Sequence, residues 1–212
     1  TTDALSESHD IEAEYHAAIR AGLDARMTND LPLPFIVKKA MVVRNQAQFH
    51  PLRYVQQLAG AIHSQQCRIH EESAVVDIDE KNGVVNTAAH TVRADHIILA
   101  THTPKGFNLV QTELGPYREY AVAAKLREPQ LPGGIFWSTG QKPTSTRAVM
   151  LDGKPYVMMI GEKHKTGQNT DPEAAYRTLA ELLRARFAVQ SIDYQWSAQH
   201  YRAADGLPYI GS

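Results

Sequence analysis

The side chains best equipped for chemistry gather in Gly161-Glu162-Lys163-His164-Lys165-Thr166-Gly167-Gln168. An imidazole ionises near neutrality, so His164 can carry a proton or release one at ordinary pH. Glu162 places a carboxylate two residues away, and Lys163 and Lys165 can attract an acidic ligand. The same run also reads as a solvated loop studded with charge, and the residues alone leave both readings open. Arg44, Arg118 and Arg147 lie on or beside apolar stretches. A guanidinium there can grip a carboxylate through two parallel N–H bonds, and nothing in the sequence ranks the three. Cys67-x-x-His70 has the spacing of half a metal site, although a strand cysteine followed by an edge histidine explains it more simply. With one cysteine, an internal disulfide and a four-cysteine metal site are both excluded.

Three helices must position these groups. Ile11, Tyr15, Ile19 and Leu23 recur at helical spacing, which predicts a helix from about Ser8 to Met27. A second opens at Pro51, a favoured first-turn position, and is expected to bury Leu52, Val55, Leu58 and Ile62. A third has Asp171 as N-cap and Pro172 at its first position, with Tyr176, Leu179, Leu183 and Phe187 as its apolar stripe. Strands are expected at Phe35 to Val43, Cys67 to Glu71 and Val75 to Ile78. Asn82-Gly83 then turns the chain into Val84 to Thr87. Ile97 to Ala100 reads as a strand buried on both faces. Further strands follow at Tyr117 to Leu126, Ile135 to Ser138, Arg147 to Leu151, Tyr156 to Ile160 and Ile192 to Ser197. Strands outnumber helices and arrive in runs, which predicts an α+β fold with a mixed, largely antiparallel sheet flanked by helices. Trp137 and Trp196 read as core, Trp137 at a strand end that can open on a pocket.

The totals set outer limits. Of 212 residues, 43% are hydrophobic and 21% charged, which excludes a disordered chain. Formal net charge is -1, so no global field draws the protein to nucleic acid. No stretch approaches the ~20 apolar residues of a membrane span, and residues 1 to 10 hold no apolar signal-peptide core, so the cytoplasm is the expected location.

From His50 to Thr103 the order of elements becomes specific. A proline-started helix leads to Arg68-Ile69-His70-Glu71-Glu72, then Val75-Val76-Asp77-Ile78, a hairpin, and Ala94-Asp95-His96-Ile97-Ile98-Leu99-Ala100-Thr101. With the tail Asp205-Gly206-Leu207-Pro208-Tyr209-Ile210-Gly211, this resembles the FAD-dependent D-amino-acid oxidase superfamily, which includes glycine oxidase and sarcosine oxidase. The Gly161 to Gln168 stretch is most similar to the subfamily fused to a C-terminal Rieske [2Fe-2S] domain.

That resemblance implies a substrate domain, oxidation of an amine or amino acid by hydride transfer to flavin, and onward transfer to an iron–sulfur centre. It implies Val75, Ala100, Thr101, His102, Asp205 and Gly206 as cofactor contacts, and Glu162, His164, Lys165 and Arg147 as substrate contacts, with His164 as the candidate catalytic group. For Thr101 a turn-capping hydroxyl is the competing reading.

Two departures matter. No two of the 13 glycines are separated by a single residue, so the G-x-G-x-x-G turn that seats a dinucleotide pyrophosphate is absent. A Rieske centre needs two cysteines and two histidines, and Cys67 alone cannot supply it. The expectation is therefore a middle piece of a longer enzyme. Residues 1–30 would be a helical lead-in and 31–212 the substrate domain, with flavin-facing segments near 50–104 and 200–212. FAD would be held in the full-length parent and weakly or not at all by this chain, and the Rieske domain would lie beyond residue 212. A small-molecule binding or interaction module without redox activity is the alternative. Exposed apolar surface would favour a homodimer.

Overall fold

The structure, a computed structural model, describes residues 5–103, 114–128, 133–168 and 171–207. It divides into two compact units, residues 1–48 with 113–212, and residues 49–112. The fold is α+β, and every strand pairing among the described residues is antiparallel.

In the first unit α1 (Leu5–Arg20) precedes a two-stranded ribbon, β1 (Ala25–Thr28) and β2 (Ala40–Val43). Ile11 and Ala18 of the helix are buried, as are Val37 and Ala40, and Lys39 pairs with Glu12. The helix is shorter than its apolar spacing predicts: it stops before Leu23, and Met27 is in a strand. Gly22 at φ 78 closes it, with Gly22 N donating to Ile19 O and Leu23 N to Ala18 O, the bonding of a left-handed C-terminal cap. The expected strand from Phe35 shrinks to its last four residues. Phe35 packs instead on the main core, edge-on to Phe187 and under the Arg186 guanidinium.

The principal sheet joins β6 (Leu114–Leu126), β7 (Ile135–Trp137), β8 (Ser145–Leu151), β9 (Lys154–Lys165) and β10 (Val189–Ala203) in the order β10-β6-β9-β8-β7. Helix α3 (Pro172–Arg186) packs on one face. Its start matches the sequence signals: Asp171 accepts from Ala174 N at 3.0 Å, with Pro172 in the first turn. Leu179 and Leu183 meet Tyr120, Val122 and Ala124 of β6 and Val157 and Met159 of β9, all buried. Each large apolar side chain removed from water there contributes about 1.5–3 kcal/mol.

The second unit holds α2 (Pro51–Ile62) and a three-stranded sheet of β3 (Val75–Asp79), β4 (Val84–Thr87) and β5 (Thr91–Arg93). Helix α2 begins at Pro51 as expected, capped by His50 Nδ1, which accepts from Arg53 N. Its apolar stripe is not buried: Leu52, Val55, Leu58 and Ile62 are all exposed. Cys67 to Glu71 and Ile97 to Ala100 are not strands, and Ile98 is 88% exposed. Neither run has a strand to pair with, so apolar content alone leaves them irregular. Residues 104–113, which lead up to β6, lie outside the described residues.

The β3–β4 turn is set by Asp79, Asn82 and Gly83. Asp79 accepts from the Asn82 side-chain amide at 2.6 Å and from its backbone N at 3.2 Å, which holds the Asp79 carboxyl below its ordinary value. Gly83, at φ 61, passes so close to Ala94 O that an added Cβ would lie 2.3 Å from it. Gly83→Ala is therefore expected to cost about 2 kcal/mol or more in this unit. Hydrogen exchange of the β3–β5 amides checks it, and unchanged protection would contradict this hairpin.

Candidate functional site

The register of the five-stranded sheet assigns every side chain to a face, because alternate residues of a strand point to opposite sides. Tyr120, Val122 and Ala124 face α3, so Ala121 and Ala123 face the other way. Cross-strand pairing then places Met158 and Ile160 of β9, Ser145 and Arg147 of β8, Ile135 and Trp137 of β7, and Tyr194 and Trp196 of β10 on that opposite face. It is open: Trp137 is 71% exposed and Trp196 41%. The two tryptophans are thus surface residues of this sheet rather than core.

This open face holds two buried polar atoms that lack partners. Arg147 Nε and Ser145 Oγ are, among the described residues, the buried side-chain atoms with no hydrogen bond. They belong to one strand, two positions apart, on one face. A buried polar group left unpaired costs about 1–3 kcal/mol, so an acceptor reaching either atom, from water or from a ligand, would be favoured there.

The other sequence candidates separate. Between Arg118↔His164 and Tyr120↔Gly161 the β6–β9 register slips by one residue, a bulge in β9 with Glu162 at φ 51. His164 thereby returns to the α3 side. Its Nδ1 lies 2.7 Å from Lys165 O, and a carbonyl only accepts, so Nδ1 carries the proton. In the neutral ring Nε2 then accepts from Tyr120 Oη at 3.1 Å. Glu162 binds Lys142 Nζ at 3.1 Å. Glu162 and His164 border a cleft of about 360 Å³ beside the start of α3.

Arg147 lies across the sheet from both, so one small ligand meets either that pair or Arg147. Lys165, opposite Tyr117, shares the open face with Arg147 but sits at its far end, roughly 20 Å along the strand. Lys163 is there too, 4.9 Å from the Tyr117 ring centroid and 3.9 Å from Glu119. Arg118 donates to Ser197 Oγ at 2.8 Å on the α3 side.

At the other end of the open face Tyr156 Oη donates to Asp193 Oδ2 at 2.6 Å. This bond, with burial, pushes the Tyr156 phenol up to about 12, and bonds from Ser191 and Tyr156 hold Asp193 below its ordinary value.

In the second unit Val75 opens β3, half exposed and paired with Thr87. Ala100, Thr101 and His102 form an exposed bend in which His102 has φ 69, and Thr101 Oγ1 donates to Thr103 O at 2.7 Å. The Thr101 hydroxyl thus serves its own turn. In the first unit Asp205 Oδ1 accepts from Leu207 N, and Gly206 N donates to Ala203 O, a turn that ends β10. Tyr209 lies outside the described residues.

The model of the FAD dependent oxidoreductase family known as DAO matches residues 2–212. The chain belongs to this family. It is 33% identical over 205 residues to YhfW of Bacillus subtilis (strain 168), named as a Rieske 2Fe-2S iron-sulfur protein. The match covers 95% of this chain and 40% of that protein's length. No solved structure matches. No group of three or more potential metal-ligating side chains and no helix long and apolar enough to cross a membrane occurs among the described residues.

The residues present fit the family's flavin only in part. Val75 and the bend at Ala100 to His102 are exposed, so a dinucleotide could reach them. The pyrophosphate, however, needs a helix start with free N–H groups and glycines that admit it. Helix α2 begins with a proline and spends the ring of His50 on Arg53 N, and α3 begins with a proline and an aspartate cap. Neither is such a seat.

The 212-residue chain alone is accordingly expected to leave FAD unbound at micromolar concentration. Flavin fluorescence anisotropy measures this, and a rise on adding the chain would contradict it. The Tyr156–Asp193 bond predicts an alkaline feature. Its contribution to stability is whole below about pH 10, where the unfolded phenol still keeps its proton, and is lost as pH rises through about 12. In a titration of phenolate absorbance, Asp193→Asn should bring one late-titrating tyrosine back toward pH 10.

Proposed function

We propose that this chain provides the substrate-facing sheet of a flavoprotein that oxidises an amine or amino acid by hydride transfer, its electrons passing on to an iron–sulfur centre in the whole protein. The observation that carries the reading is the open face, whose centre around Arg147 is apolar and where the buried Nε of Arg147 has no partner. Family membership supports the flavin, and the name of the Bacillus subtilis relative supports the iron–sulfur acceptor.

Arg147 would hold the substrate carboxylate. Ala121, Ala123, Met158 and Ile160 would exclude water from the reacting carbon, which favours loss of a hydride over side reactions. FAD, when bound, supplies the hydride acceptor. Val75, Ala100, Thr101 and His102 in the second unit, and Asp205 and Gly206 in the first, would contribute main-chain contacts to it. Residues 31–212 would be the substrate domain, with the flavin-facing segments near 50–104 and 200–212. The pyrophosphate turn would come from another part of the polypeptide, working in the cytoplasm. Glu162 and His164 would shape the sheet end rather than touch substrate. The absent glycine turn favours a second reading, a binding module without redox activity.

Expression of the full reading frame decides between the two. A bound flavin whose absorbance bleaches with an amine or amino acid supports the enzyme, and a colourless protein supports the module. Arg147→Ala should raise the half-bleaching concentration at least about tenfold, the value of a charge-assisted bond. His164→Ala should change it less than about threefold. The reverse pattern would move the substrate to the cleft beside α3.

A further inference from the structure

We infer that the hollow at the C-terminal end of α2 binds a phosphate group, independently of the proposed oxidation. The hollow has a volume of about 560 Å³ and is lined by His63, Ser64, Gln65, Arg68, Ile69 and His70. The loop that forms it closes on itself through side chains. His63 Nδ1 accepts from Ile69 N at 3.3 Å, and Ser64 Oγ accepts from Cys67 N at 3.1 Å and from Gln66 N at 3.3 Å. Ser64 N in turn donates to Cys67 O at 2.8 Å. A ring nitrogen that accepts has no proton, so Nε2 of the neutral His63 ring carries one and can donate outward. The Ser64 hydroxyl, its lone pairs engaged by two backbone N–H groups, also keeps a hydrogen to donate. The loop thus uses its acceptors on itself and presents its donors.

Arg68 adds a fixed cation. Its side chain has no hydrogen bond or ion pair among the described residues. No carboxylate lines the hollow; Glu71 and Glu72 follow His70 in the chain but are not among the lining residues. The end of α2 contributes roughly half a negative charge, which one guanidinium outweighs. Donors gathered around an unpaired cation call for an anion. A carboxylate is served by the arginine fork alone. An imidazole N–H and a hydroxyl beside the fork suit a phosphate, which carries more charge and whose oxygens accept in several directions. Cys67 does not line the hollow, so its spacing from His70 makes no metal pair there. The space exceeds what a phosphate ion fills, and Ile69 gives it an apolar wall. An organic phosphate monoester therefore fits as well as the free ion.

The test uses the 212-residue chain and its amide and imidazole NMR signals, with ionic strength held constant by sodium chloride. Inorganic phosphate should shift the amides of residues 64–70 and the His63 ring with one shared midpoint. Arg68→Ala should raise that midpoint at least about tenfold, the value of a charge-assisted bond. Arg68→Lys, a point charge without the fork, should recover part of the loss. Arg53→Ala, near the other end of α2 and roughly 15 Å away along its axis, should leave the midpoint unchanged. Acetate, with less charge and two oxygens, should bind at least about tenfold more weakly than phosphate. Phenyl phosphate separates the two sources. A midpoint several-fold below that of inorganic phosphate, with the Ile69 methyls shifting, identifies an organic monoester; an equal or higher midpoint identifies the free ion. Equal effects of Arg68→Ala and Arg53→Ala would mean an adventitious ion only and overturn the inference. So would acetate binding as tight as phosphate, or no saturable shift of residues 64–70. Flavin is absent from every arm, so none of these outcomes bears on amine oxidation.

Discussion

The packing of α3 against β6 and β9 is the constraint on which the rest depends. Leu179 and Leu183 lock onto Tyr120, Val122, Val157 and Met159, and that contact fixes which face of the five-stranded sheet is core. Because strand side chains alternate, fixing one face fixes the other. Ser145, Arg147, Met158 and Ile160 are turned away from the helix as a consequence, and their surface is free for chemistry. The core and the proposed binding face are thereby separated by the thickness of one sheet.

Local chemistry was legible where it is self-sufficient. Asp171-Pro172 names a helix start because the cap and the proline act within one turn, and α3 begins there. Val84 to Thr87 emerges as a strand over the expected residues, with Asn82-Gly83 in the turn before it. What failed depends on partners. Helix α2 has the right stripe, yet Leu52, Val55, Leu58 and Ile62 remain exposed, since a stripe states a preference for burial and names no cover. Ile97 to Ala100 fails in the same way. At α1 two signals conflict: Gly22 marks a helix end, while the apolar spacing runs on through Leu23, and the glycine cap prevails.

The candidate site was half visible for a related reason. Arg147 stands out by its type, one of three arginines on apolar stretches, while Ser145 falls outside the strand that apolar content marks from Arg147 to Leu151. A start two residues earlier would have put the serine and the arginine on one face by alternation alone. Grouping Arg147 with Glu162 and His164 could not be tested from sequence. Those residues come from different strands, and only the register between the strands says whether they share a side.

The bulge in β9 shows how much a single slip can sort. Strict alternation from Gly161 would put Lys163 on the α3 side and His164 on the open side. The extra residue reverses this, bringing His164 to Tyr120 and leaving Lys163 over Tyr117. The cost is a left-handed Glu162, strain of order 1 kcal/mol or more for a residue other than glycine. No glycine marks the position, so the sequence gives no warning of it. Lys142 on the Glu162 carboxylate and Tyr120 on His164 hold the distortion in place. Its effect is to move a carboxylate and an imidazole off the open face. That face then carries Arg147, Lys125, Lys163 and Lys165 against Glu119 and Asp193. An excess of positive charge across an apolar surface attracts an anion from solution and offers it one close partner at Arg147. On the proposed reading, the slip in register would contribute to binding without touching the ligand.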